Sequence, residues 1–402
     1  MQRHRIEPRP HWQQIVEEQG LVFPVTRFPD GTLRPYWDES AYYTFTLPEV
    51  EALEEVVEEL HAMCLQAADH IVAKDRFAEL GITDPALAAT IARSWRRRAE
   101  QPSVYGRFDL HYDGTGPAKL LEYNADTPTT LVEAASPQWF WMEERFPGAD
   151  QWNSLHERLV AAWRRQAALL PAGQPVYFAY SHDDEQGEDQ MTVLYLRETA
   201  QQAGLATRGI AMEDIGWDPL SGRFVDDQYR FLRSVFKLYP WEWLVNDPFG
   251  KHALRTADLG GGSGSTLWIE PFWKMLLSNK ALLAVLWELF PGHPNLLPAH
   301  LGGPRDLTEW IAKPLLGREG SGIRVSGDLP KTRLHGEIRP EASLYGEEGY
   351  CWQQWNPLPE FDGNRVVLGA WVVDGEPAGL SIRESVGLIT DEYACFVPHV
   401  IL

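Results

Sequence analysis

The chain has 402 residues, 44% of them apolar, with 57 acidic against 36 basic side chains and a formal net charge of −21. This composition is that of a globular protein with room for two or three domains' worth of core. The acidity argues against general nucleic-acid binding, which needs basic faces to displace counterions, and is compatible with a cationic substrate.

The opening residues are polar and rich in Arg and Pro, and no apolar run approaches bilayer-spanning length, so neither a leader nor a membrane partner is expected. Leu47–Ala73 carries Val50, Leu53, Val56, Val57, Leu60 and Met63 at helical spacing with glutamates opposite, and Pro85–Ala99 reads as a second helix. The period then changes to two. Ser103–His111 and Ala118–Asn124 alternate like strands across an Asp113-Gly114 turn, a β-hairpin. From about Gly148 a new unit begins. Trp152–Leu170 is helical, Pro175–Tyr180 is a buried strand, the acidic run His182–Asp189 is a loop and candidate cation-binding rim, Asp189–Ala203 is helical, and Gly209–Ile215 starts another strand region. Such strand–helix–strand alternation predicts a small α/β layer with parallel pairing. Gly260–Ser265 (GGGSGS) reads as a flexible connector or a phosphate loop. Beyond it the pattern is α+β: a helix over Leu276–Leu289 that contains Lys280, strands at Glu309–Pro314 and Gly349–Gln354, and a hairpin of Arg365–Val373 with Ala378–Glu384 across Asp374-Gly375.

Some chemistries find no support. Three cysteines (Cys64, Cys351, Cys395) without CxxC spacing predict no disulfide framework or zinc site and fit a reducing cytoplasm. Twelve histidines show no HxxxH or HxH pairing, and no GxSxG elbow is present. Seventeen tryptophans recur without a fixed period and read as core or cleft walls.

Three clusters remain. In the first hairpin, period-two spacing puts Arg107 and Asp109 on one face of a strand and Glu122 and Asn124 on one face of the next. Two carboxylates and an amide make an all-oxygen site suited to Mg²⁺ on nucleotide phosphates, although a cross-strand salt-bridge ladder would use the same residues. In the second, Lys313 precedes Gly317, Arg318, Gly320, Ser321 and Gly322, and Lys280 lies upstream. Glycines let backbone N–H groups approach phosphate, and the cations oppose its charge; a hairpin with solvated charges is the other reading. The order is not that of a P-loop, because the lysine comes before the glycines. The third is Trp352-Gln353-Gln354-Trp355, where a strand end with aromatic walls suits either a purine or core packing.

Taken in order, these stretches resemble the synthetase domain of the glutathionylspermidine synthase family. The matching blocks are Arg107-Phe-Asp109, Glu122-Tyr-Asn-Ala-Asp126, Ser278-Asn-Lys280 with Leu286–Phe290, Lys313–Arg318 through Gly320–Ile323, and Gln353-Gln354, within about 105–398. The resemblance implies a circularly permuted, glutathione synthetase-like ATP-grasp fold of mixed α+β and α/β type. It implies three regions: 1–147 with the metal-binding hairpin, 148–259 as a pre-ATP-grasp-like substrate unit, and 260–402 for the nucleotide. It also implies a stand-alone member without the amidase domain of bifunctional relatives. The implied activity is an ATP- and Mg²⁺-dependent carboxylate–amine ligation through an acyl phosphate, with a peptide-like acid and a polyamine or other amine. A regulatory ATP-binding protein of the same fold is the alternative. By the same resemblance Asp109, Glu122 and Asn124 hold the metal, and Lys280, Lys313, Gly317, Gly320, Ser321, Gly322, Gln353, Gln354 and Trp355 hold ATP. Arg107, Arg318 and Arg383 are the catalytic arginines, Arg107 meeting nucleotide and metal beside Asp109 and Arg318 lying near the reacting phosphate, and Thr127, Glu188, Asp189 and Glu242 meet substrate. Thr127 stands where the family has serine, and Lys237-Leu238-Tyr239 where it has Lys-Thr-Trp.

Overall fold

The computed structural model describes residues 1–28, 30–182, 184, 187–257, 264–327 and 345–402. The long helix forms over Leu47–Ala73 as its periodicity predicts, buries Val50, Leu53, Val57, Leu60, Met63 and Cys64, and packs on the helix Ala281–Leu289. Its start is fixed chemically. Thr46 N–H donates to Glu49 Oε2 (2.8 Å), and Glu49 N–H donates back to Thr46 Oγ1 (3.4 Å), a reciprocal cap.

Three sheets position the rest. The central, antiparallel one runs Cys395–Phe396, Glu376–Ser385, Asn364–Val373, Tyr105–His111, Lys119–Asn124, with Glu360–Phe361 paired to Asn364–Val373. Both predicted hairpins lie in it. The Asp374-Gly375 turn has positive φ at both residues (51° and 84°), as a two-residue hairpin turn of that hand requires. A second antiparallel sheet has the order Ala299–Leu301, Tyr350–Gln354, Trp310–Pro314, Arg324–Val325. The third is parallel, in the order Leu267–Ile269, Ser234–Lys237, Val176–Tyr180, Thr207–Ala211, as the α/β alternation predicts. The helices Leu155–Gln166 and Glu188–Gln202 pack on each other beside it. A small fourth sheet joins Gln2–Arg5 and Ala41–Phe45 to His399–Ile401 near the other end of the chain.

The scattered tryptophans are largely core: Trp37, Trp95, Trp141, Trp163, Trp241 and Trp371 are fully buried. One predicted element differs. Leu276–Leu289 is not a single helix but two, Lys274–Ser278 and Ala281–Leu289, broken at Asn279-Lys280. Asn279 leaves the helical region (ψ 132°), and its side chain accepts from Ala281 N–H (2.9 Å) and donates to Leu80 O (2.9 Å). Of the Gly260–Ser265 run, residues 260–263 lie outside the described residues. Among the described residues no helix is long and apolar enough to cross a membrane.

Candidate active site

Register turns the sequence pattern into a site. Arg107 pairs with Asn124, and Asp109 pairs with Glu122, so the four side chains share one face of the central sheet. The next strand adds Gly369 opposite Asp109, and the one beyond adds Arg383. Asp109 is held between two arginines: Arg107 Nε donates to Oδ1 at 2.8 Å and Arg383 Nη2 to Oδ2 at 2.5 Å. Arg107 also donates to Thr130 Oγ1 at 3.0 Å, which ties the sheet to the loop after the hairpin.

The second sheet brings Lys313 over this face, and the break between two helices brings Lys280. Lys313 Nζ donates to Leu121 O (2.7 Å) and Gln353 Oε1 (2.9 Å). Lys280 Nζ stands 3.2 Å from Glu122 Oε2, and Asn124 donates to the other Glu122 oxygen at 3.0 Å. The helix break at Asn279-Lys280 therefore has a function: it points the lysine at the hairpin rather than along a helix face. Burial alone would raise the Glu122 carboxyl, but Lys280 and Lys313 hold it well below the usual carboxylate range. Burial, only partly countered by Glu122, pushes the Lys313 ammonium down.

The glycine-rich run is a turn between Trp310–Pro314 and Arg324–Val325. Glu319, Gly320 and Gly322 have positive φ (50°, 72° and 69°), which explains two of its glycines. Gly317, Gly320 and Ser321 line the cleft beside Lys280, Lys313 and the hairpin, whereas Gly322 supports the turn without lining it. Arg318 turns toward the neighbouring unit, donating to Thr127 Oγ1 (2.9 Å) and to Glu242 Oε1 (3.0 Å). Burial disfavours its charge, and Glu242 more than restores it.

Gln353, Gln354 and Trp355 close the other end of the cleft. Gln354 N–H donates to Pro298 O (2.7 Å) and Trp355 N–H to Glu309 O (3.0 Å), so these amides are used within the protein. What the strand end offers a ring is its aromatic and apolar walls: Trp355, Leu297, Ile311 and Ile323 line the same cleft.

Glu188 and Asp189 begin the helix Glu188–Gln202 in the α/β unit, and neither is among the residues that line the cleft. Burial, then the Glu133 carboxyl, push Glu188 up to about 8. Burial, then Asp184, push Asp189 up to about 7 against the pull of Arg318. Tyr36 O–H donates to Glu133, which is wholly buried.

Three residues to which the sequence reading gave no role, Asp126, Glu133 and Gly369, do structural or electrostatic work here. Asp126, at the hairpin's end, accepts from Lys237 Nζ (2.8 Å) and Trp241 N–H (3.0 Å), with both charged groups fully buried. Lys237 thus joins the hairpin to the parallel sheet. Gly369 leaves no room for a β-carbon, which would meet Ser381 Oγ and the Arg107 side chain. The Glu-Tyr-Asn-Ala-Asp block carried the signal for Asp126; Glu133 and Gly369 had none that a single sequence displays.

Two carboxylates and an amide on one face are donor types that a hard divalent cation takes; in this structure both Asp109 oxygens accept from arginines, and the Glu122 oxygens face Lys280 and Asn124. Among the described residues no group of three His, Cys, Asp or Glu side chains gathers to hold a metal.

A family model described as glutathionylspermidine synthase preATP-grasp matches residues 3–402. The chain is 38% identical over 385 residues to a Haemophilus influenzae protein named "Putative acid--amine ligase", covering 94% of each. It is 28% identical over 386 residues to the bifunctional glutathionylspermidine synthetase/amidase of Escherichia coli, and 28% over 394 residues to the trypanothione synthetase of Crithidia fasciculata. The chain spans 60% and 58% of those two longer proteins. Among solved structures, an apo glutathione synthetase-like effector from Globodera pallida superposes with TM-score 0.56 at 12% identity, covering 97% of this chain and 98% of that one. This last likeness is one of fold.

Proposed function

The chain belongs to the glutathionylspermidine synthase family, and from that premise we propose that it joins a carboxylate to an amine at the expense of ATP. The observation that carries the reading is the convergence of Asp109, Glu122 and Asn124 with Lys280, Lys313 and the glycine-rich turn in one cleft. The acid is read as glutathione or a similar peptide and the amine as a polyamine, after the named activities of the relatives. A cytoplasmic setting suits three unpaired cysteines.

Asp109, Glu122 and Asn124 would hold Mg²⁺, which when bound neutralises phosphate charge. Lys280 and Lys313 supply further positive charge to the nucleotide from fixed positions, so little reorganisation is needed as phosphoryl transfer begins. Gln353–Trp355 receives the base. Arg107, Arg318 and Arg383 surround the place where the acid's carboxylate would meet the γ-phosphate. The acid is activated as an acyl phosphate, the amine displaces phosphate, and an amide forms. Catalysis is mainly positioning and charge neutralisation.

The test is incubation with ATP, Mg²⁺, glutathione and spermidine, followed by a panel of other peptides and amines, with ADP and phosphate release measured. Lys313→Ala and Asn124→Ala should each abolish turnover, and full activity in both would overturn the assignment. Thermal stabilisation by ATP without turnover on any pair would instead favour a nucleotide-binding regulator.

A further inference from the structure

Gln353 and Lys313 sit on neighbouring strands of the second sheet. Lys313 pairs with Cys351, so Gln353, two residues further along that strand, is its diagonal neighbour on the same face. Both side chains are buried. The Gln353 amide is engaged at both ends: Oε1 accepts from Lys313 Nζ at 2.9 Å, and Nε2 donates to Leu120 O at 3.1 Å. An ammonium only donates and a carbonyl only accepts, so these partners allow the amide one orientation. The next carbonyl, Leu121 O, accepts a second hydrogen bond from Lys313 Nζ at 2.7 Å. Consecutive carbonyls of a regular strand point to opposite sides, and these two do not, because a bulge intervenes. Asp109 pairs with Glu122 and Leu110 with Leu120, which leaves Leu121 without a partner in the hairpin. Lys119–Asn124 is the outer strand of the central sheet, so both carbonyls are open to the second sheet.

The two cleft lysines are therefore held in different ways. Lys280 stands 3.2 Å from the Glu122 carboxylate. Lys313 is fixed by two oxygens that carry no net charge, and an ammonium has three N–H groups. The third remains for the cleft, which Lys313 lines. We propose that Gln353 is a positioning residue: with the bulged Leu121 carbonyl, its amide holds Lys313 in place without neutralising it, so that the third N–H meets the nucleotide's phosphates. The proposal rests on the nucleotide part of the ligase reading above and sharpens it. The base would be received by Trp355 and the apolar walls, while the Gln353 side chain serves the phosphates through Lys313. A carboxylate at position 353 would neutralise the lysine and set its second oxygen against Leu120 O. An apolar side chain there would leave Lys313 on a single tether. Burial already works against the Lys313 charge, so a lost acceptor weakens both its aim and its charge.

The experiment is isothermal titration with Mg·ATP, with melting temperatures read alongside. The chains compared are the unmodified protein, Gln353→Met, Gln353→Glu, Lys313→Met, and Lys313→Met combined with Gln353→Met. Loss of a hydrogen bond to a charged group predicts that Gln353→Met weakens binding about tenfold, and Gln353→Glu at least as much. On the Lys313→Met background, Gln353→Met should change affinity by less than about twofold, because the group it positions is gone. A glutamine that reads the base would weaken ATP equally on both backgrounds, so additive losses overturn the proposal. Unchanged ATP affinity in either Gln353 variant, with melting temperature retained, also overturns it. If Gln353→Met does not fold, Gln353→Glu takes its place in the same cycle. Absence of ATP binding by the unmodified chain overturns the nucleotide reading itself, a separate outcome.

Discussion

Arg107 lies across Gly369: a β-carbon at that glycine would stand 2.8 Å from Arg107 Cδ and 2.2 Å from Ser381 Oγ. The missing side chain is what lets the guanidinium reach both Asp109 and the loop at Thr130.

Gly369→Ala should therefore destabilise the protein by about 1–3 kcal/mol through overpacking, and lower ATP turnover at least tenfold by moving Arg107. Adding Ser381→Ala removes the closer clash, so the double variant should recover melting temperature but not activity. Recovery of both would mean that the position of Arg107 is unimportant.

The cations around Glu122 are expected to separate by readout. Lys280→Met removes a direct partner of the Glu122 carboxylate, 3.2 Å away, and should weaken Mg·ATP binding about tenfold or more. Glu122→Gln should abolish the Mg²⁺ dependence of that binding while leaving residual metal-free affinity. Isothermal titration with ATP, with and without Mg²⁺, checks both. An unchanged Mg²⁺ dependence in Glu122→Gln would remove that residue from the metal set.

The Lys237–Asp126 pair is expected to act on stability. Both side chains are fully buried, so Lys237→Met alone strands a carboxylate and should cost about 3–5 kcal/mol. Lys237→Met with Asp126→Asn should recover a large part of the loss. Denaturant unfolding measures this; additive losses would show that the two groups do not act as a pair.

Stability should also fall as the pH rises. Glu188 and Asp189 have carboxyl groups pushed up to about 8 and about 7 in the folded protein, against about 4.3 and 3.9 when unfolded. A raised acid stabilises while it carries its proton, so its contribution is full below about pH 4 and is lost as the pH rises through the folded values. The melting temperature of the ligand-free protein should drop between about pH 4.5 and 8.5, and Glu188→Gln should flatten that slope. An unaltered slope in Glu188→Gln and Asp189→Asn would place these groups elsewhere.

Local pattern carried the elements, and long-range packing carried the site. The helix at Leu47–Ala73 was legible because its apolar stripe and Thr46–Glu49 cap are both local. The Arg107–Asn124 hairpin was legible because alternation and an Asp-Gly turn are local too. The break at Asn279-Lys280 was not, since Leu276–Leu289 is mostly apolar and helical by propensity. Only the contact of Asn279 with Leu80 reveals what interrupts it. Arg318 could be singled out by its glycines, but its partners Thr127 and Glu242 come from distant parts of the chain. Glu133 was silent for the same reason: a glutamate in a helix is ordinary until Tyr36 and Glu188 surround it.

The order of strands in the central sheet has a cost during synthesis. The hairpin that carries Asp109 and Glu122 leaves the ribosome some 240 residues before Asn364–Val373, the strand it must pair with. At ~5–20 residues per second that is on the order of tens of seconds with an open edge. An apolar edge waiting so long would invite other chains to pair with it. This one bears an arginine, an aspartate, a glutamate and an asparagine on a single face, so the groups that would meet the nucleotide in the finished protein also keep the nascent hairpin from sticking.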